Sequence, residues 1–185
     1  YEKFKTDFVA KVKALNVGHP SKKDTNIGAL VSKPHLEKVK EYIQIAKDEG
    51  GKILCGGNEI LVEGFENGYY LEPTVIEVPT DDCRVNQEEI FGPIVTLMPF
   101  TTEAEVLNMA NKVKYGLSAT LWTNNLTRTM QMSNQLQAGI VWVNTWMMRD
   151  LRTPFGGVKA SGVGREGGFE ALRFFTEPKN VCIKY

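Results

Sequence analysis

Short apolar runs alternate with segments of helical period along most of this chain, and that alternation limits its possible folds more than any other feature. Thr102-x-x-Glu105 reads as a capping box, in which hydroxyl and carboxylate satisfy each other's backbone donors. It opens a helix with a buried stripe of Val106, Met109 and Val113 that ends at Gly116. Leu117 to Thr123 returns as a strand. Leu126, Met130, Ser133 and Leu136 mark a further helix, and Gly139 releases the chain into the apolar strand Ile140 to Val143. Earlier, Ser32 and Pro34 supply the cap and first-turn proline of a helix whose core stripe is Leu36, Val39, Ile43 and Ala46. Gly50-Gly51 ends it, and Lys52 to Cys55 reads as a short strand. Tyr69 to Val78 is β-rich but holds Pro73, which predicts an edge or irregular strand. Pro93 to Phe100 is another strand, and a short helix near Glu170 to Phe175 precedes a last strand, Asn180 to Tyr185. Strands alternating with helices predict an α/β fold with an open, mostly parallel sheet flanked by helices.

Phe4, Phe8, Val12 and Leu15 already follow helical spacing, and the first residue is Tyr1. A piece of a longer protein is the expectation. The 22 basic and 22 acidic residues cancel, so no global field recruits nucleic acid or an anionic membrane. No run approaches the roughly 18 apolar residues of a membrane helix. Cys55, Cys83 and Cys182 are odd in number and far apart, with no metal-ligand spacing, which predicts a reducing, cytoplasmic setting and no metal site.

Two segments carry chemistry. Glu88-Glu89-Ile90-Phe91-Gly92-Pro93 lies between a polar loop and an apolar strand, where open α/β sheets build ligand sites. A carboxylate there can accept both hydrogen bonds of a vicinal diol such as a ribose. The spacing equally allows a solvated acidic turn with Phe91 plugging the core. The second segment, Pro154-Phe155-Gly156-Gly157-Val158-Lys159-Ala160-Ser161-Gly162-Val163-Gly164-Arg165-Glu166, is so rich in glycine that its backbone must approach something closely or adopt positive φ. Gly162, Gly164 and Gly167 formally match a dinucleotide fingerprint, but no complete strand-helix-strand unit follows them. That match is coincidental.

In this order, with Lys114-Tyr115-Gly116-Leu117 and Ala138-Gly139-Ile140-Val141-Trp142-Val143-Asn144 between them, the two segments resemble the aldehyde dehydrogenase superfamily over essentially the whole chain. The resemblance implies residues 1–168 as part of the catalytic domain, and 169–185 as a C-terminal helix with an oligomerisation strand in a homo-dimer or homo-tetramer. It implies NAD (or NADP) as cofactor, with Glu89 on the nicotinamide-side ribose hydroxyls and Phe91 packed beside that ribose. Phe155 would line the pocket of a small-molecule aldehyde.

The loop from Thr145 to Thr153 occupies the position of the family's variable substrate wall. Together with Gly164 to Glu170 it looks most like the hydroxymuconic and aminomuconic semialdehyde dehydrogenases. By that likeness Arg149, with Arg152 and Trp146 in the same loop, would bind a carboxylate-bearing semialdehyde, since a guanidinium holds a carboxylate bidentately. The opposing reading pairs Arg149 with Asp150 and leaves Arg152 solvated. Trp146, Met147 and Met148 would instead suit an apolar aldehyde such as retinal. None of the three cysteines matches the family's nucleophile, so no catalytic residue is assigned and the chain alone is expected to be inactive. A non-catalytic, subunit-interaction module is the alternative from another class.

Overall fold

The computed structural model describes residues 1–185, which divide into two compact units, Tyr1–Phe100 and Thr101–Tyr185. In the first unit, helix α1 (Glu2–Lys13) leads to α2 (Lys33–Asp48). Ser32 caps α2 by accepting from the His35 backbone N–H at 3.3 Å, and Leu36, Val39, Ile43 and Ala46 are all buried, as their spacing predicts. Strands β1 (Lys52–Cys55), β2 (Glu59–Ile60), β3 (Tyr70–Leu71) and β4 (Thr74–Glu77) follow, then the single-turn helix α3 (Arg84–Gln87) and β5 (Ile94–Leu97).

The β-rich stretch around Pro73 is irregular as expected, because a residue without an N–H cannot continue the ladder, and it splits into β3 and β4. It is not an edge. β4 is the middle strand of the sheet β1-β4-β5, with Val75 and Ile76 fully buried. The proline lies just outside the strand, and pairing resumes when Thr74 N–H donates to the Pro93 carbonyl at 2.8 Å.

The second unit holds α4 (Glu103–Lys112), β6 (Tyr115–Gly116), β7 (Ser118–Leu121), α5 (Leu126–Gln135), β8 (Ile140–Val143), β9 (Val158–Lys159) and α6 (Gly168–Phe174). Thr102 and Glu105 form the predicted capping box. Val106, Met109 and Val113 are only half-buried within the unit. On α5 the inward face carries Met132, whereas Leu126 and Met130 are exposed. The inward frame is Thr129, Met132, Ser133 and Leu136, neighbours at helical spacing.

The chain is α/β, but its sheets are mixed rather than mostly parallel. β4–β5 and β7–β8 are parallel, each pair joined through a helix. β1–β4 is antiparallel and no helix separates those strands in sequence, consistent with parallel pairing needing a crossover. β2–β3 and β6–β9 are antiparallel too. Asn180 to Tyr185 forms no strand: no other strand of the chain pairs with it, and Val181 and Ile183 are exposed. No helix is long and apolar enough to cross a membrane.

Candidate functional site

The two glutamates before β5 face different fates. Glu88 is held on three sides: Arg84 donates from Nε and Nη2, each at 2.9 Å, and the Tyr42 hydroxyl donates at 2.6 Å. The hydrogen bond to Glu88, reinforced by burial, raises the Tyr42 phenol above its ordinary pKa. Glu89 is exposed, and no donor of the chain reaches its carboxylate; only its backbone carbonyl is used, by Lys38 Nζ at 2.9 Å. Of the pair, Glu89 therefore has both oxygens free for an external diol. Between them and Phe91, Ile90 packs against both hydrophobic clusters of the unit, anchoring the turn.

Phe91 does not plug the core. The residue is 74% exposed and its backbone is left-handed, at φ 59°. The residues that hold this turn were not apparent in the sequence reading: His35, Lys38 and Tyr42 lie on one face of α2, beside the apolar stripe. Their spacing of three and four was the available signal. What it touched was settled only by the fold.

In the second unit, Asn144 ends β8 with a left-handed backbone, φ 54°. Its amide brackets Thr123, accepting from the backbone N–H and donating to the carbonyl, both at 2.8 Å. This fixes where the following loop departs. Trp146 meets the buried Trp142 edge-on, centroids 5.2 Å apart, and Trp142 Nε1–H donates to the Met148 carbonyl at 3.0 Å. Trp146 itself remains 64% exposed.

The two arginines separate. Arg152 donates from Nε to both Asp150 oxygens, at 2.9 and 3.1 Å, and its hydrogen bonds hold the Asp150 carboxyl below its ordinary pKa. Arg149 has no acidic partner; its guanidinium lies over the Phe155 ring, 3.8 Å from the centroid. Of the opposing expectation, Arg149 on Asp150 with Arg152 solvated, the pairing goes to Arg152 instead, while the Arg152 side chain stays exposed to solvent. Phe155 is held in turn by mutual backbone hydrogen bonds with Glu166, at 2.8 and 2.6 Å. It borders a cavity of about 290 Å³ shared with Leu117, Arg165 and Phe174. Arg165 donates to the Gly157 and Gly164 carbonyls at 2.8 and 2.7 Å, closing the glycine-rich loop on itself.

A family profile, "Aldehyde dehydrogenase family", matches residues 1–181. The 2-aminomuconic 6-semialdehyde dehydrogenase of Pseudomonas sp is 47% identical over the whole chain, which spans 38% of that protein. The 2-hydroxymuconic semialdehyde dehydrogenase of Pseudomonas sp. (strain CF600) is 47% identical over 96% of the chain and 38% of its own length. The NAD+ complex structure of aldehyde dehydrogenase from Bacillus cereus superposes with a TM-score of 0.90 at 41% identity, covering 96% of this chain and 35% of that one. The chain spans well under half the length of the relatives it matches. With the turn before β5, the glycine-rich loop and the α/β units all matched, this chain belongs to the aldehyde dehydrogenase family.

Proposed function

We propose that the enzyme of which this chain is a part oxidises a carboxylate-bearing semialdehyde to the acid, with NAD or NADP as the acceptor. The observation that carries this reading is the Arg149–Phe155 pair: an arginine without an acid, stacked on an aromatic ring that borders a cavity. With no acid to neutralise it, the guanidinium keeps N–H donors for a carboxylate, while Phe155 offers an apolar wall to the carbon skeleton. Arg152 is proposed to keep the loop in shape through Asp150, and Trp146 to line the wall. The similarity to the two muconic semialdehyde dehydrogenases supports the same substrate class.

Toward the dinucleotide, Glu89 fits the ribose reading because its carboxylate lacks a donor that a diol would supply. Phe91, exposed beside it, would flank the same sugar. When bound, the nicotinamide supplies the hydride-accepting carbon. What these residues contribute is position, since hydride transfer needs near-contact between the reacting carbons.

The isolated chain is proposed to be inactive. Cys55 and Cys83 are buried, out of reach of an external aldehyde, and Cys182 lies on the C-terminal tail with its thiol 3.8 Å from Asn180 Oδ1. That tail, with Val181 and Ile183 exposed, is proposed to pair with a second copy in a homo-dimer or homo-tetramer. Full-length enzyme bearing Arg149→Ala tests the substrate reading. A selective loss on a carboxylated semialdehyde supports it, and an equal loss on an uncharged aldehyde of similar size overturns it.

An apolar-aldehyde reading has one observation in its favour, the exposure of Trp146, Met147 and Met148 on the same loop. Unchanged kinetics of Arg149→Ala toward every substrate would favour it.

A further inference from the structure

Phe91 adopts a left-handed backbone conformation that residues with a side chain rarely take. Something must hold it there. Packing of its ring does not, because the ring is mostly exposed. Pressure from the next residue contributes: a Cβ at Gly92 would lie 2.8 Å from both Val39 methyl carbons, so the backbone there sits directly on α2.

The specific contact is made by His35. Its Nε2 lies 2.6 Å from the Phe91 carbonyl oxygen, across 56 residues of sequence. A carbonyl can only accept, so Nε2 carries the proton, and the bond forms in the Nε2–H tautomer and in the imidazolium alike. The imidazole is itself well placed, because the His35 backbone N–H donates to the cap Ser32 Oγ, fixing the first turn of α2. Rotating the Phe91–Gly92 peptide out of its observed orientation would carry the carbonyl away from this donor. That same peptide follows directly on Glu89 and Ile90, whose side chains are respectively free and anchored.

We infer that His35 is a positioning residue of the dinucleotide site: by holding the Phe91 carbonyl it maintains the left-handed turn that presents Glu89 and Phe91 to the ribose. This rests on the reading of Glu89 and Phe91 given above.

The test uses full-length enzyme, with NADH binding followed by its fluorescence and with steady-state kinetics in NAD. His35→Leu removes the donor and is expected to weaken NADH roughly 3- to 10-fold, the range of one neutral hydrogen bond, and to raise KM for NAD with little change in kcat. His35→Gln places an amide Nε2 near the position of the imidazole Nε2 and is expected to restore binding to within about twofold of the parent. Equal weakening by Leu and Gln, or no weakening by Leu, overturns the inference. If His35→Leu fails to fold, His35→Asn, whose amide is too short to reach, takes its place against His35→Gln. Glu89→Ala separates the two levels. Loss of affinity in Glu89→Ala without loss in the His35 variants overturns the positioning role alone, whereas unchanged affinity in Glu89→Ala overturns the ribose reading beneath it.

Discussion

The guanidinium of Arg149 lies 3.8 Å above the centre of the Phe155 ring, while Arg152 in the same loop is committed to Asp150. The ring contact leaves the arginine without an acidic partner, so its charge is uncompensated within the chain. That charge suits an incoming carboxylate.

Arg149→Ala in the full-length enzyme is accordingly expected to lower kcat/KM for a carboxylated semialdehyde by roughly 10- to 100-fold, the range of a lost charge-assisted hydrogen bond. Arg149→Lys should recover only part of this, because an ammonium neither stacks nor binds bidentately. Paired assays on charged and uncharged aldehydes provide the measurement.

Glu88 and Glu89 should separate stability from cofactor affinity. Glu88→Ala breaks the bonds from Tyr42 and Arg84 and is expected to cost about 1 kcal/mol, read as a lowered unfolding midpoint. Glu89→Ala removes a carboxylate with no partner in the chain, so the midpoint should hold while NADH affinity falls. A common effect on both quantities would contradict this division.

Acid stability should depend on Glu77. Hydrogen bonds from Lys5 Nζ at 2.8 Å and the Tyr1 hydroxyl at 2.9 Å tie its carboxylate to α1 and hold its pKa below the ordinary value. A depressed carboxyl contributes stability that is fully present above its unfolded pKa of about 4.5 and is lost as pH falls through the lower folded value. Denaturant midpoints measured from pH 6 to pH 3, values spanning roughly that window, should fall less steeply for Glu77→Gln than for the parent, from a lower starting point.

Gly139 should not tolerate a side chain. A Cβ there would collide with the Gly156 carbonyl oxygen and sit 3.1 Å from the Gly157 Cα, and neither is a flexible group that can move aside. Gly139→Ala is expected to cost on the order of 3 kcal/mol, measurable by thermal unfolding. An unchanged midpoint would mean that the glycine-rich loop does not pack this closely on Gly139.

What could be read from the sequence was what short-range physics dictates. The Ser32 cap, the Thr102–Glu105 box and the Leu36, Val39, Ile43, Ala46 stripe involve neighbours one helical turn apart, so their partners are present in the sequence itself. The motifs around Phe91 and Phe155 named the family for a related reason, as contiguous runs. Tertiary structure decided the rest wherever groups compete for partners distant along the chain. It made β4 a central strand, turned α5 onto Met132, and committed Glu88 rather than Glu89 to Tyr42. Adjacent residues of like chemistry are equivalent in sequence. They become different only when packing brings one of them, and not the other, within reach of a donor.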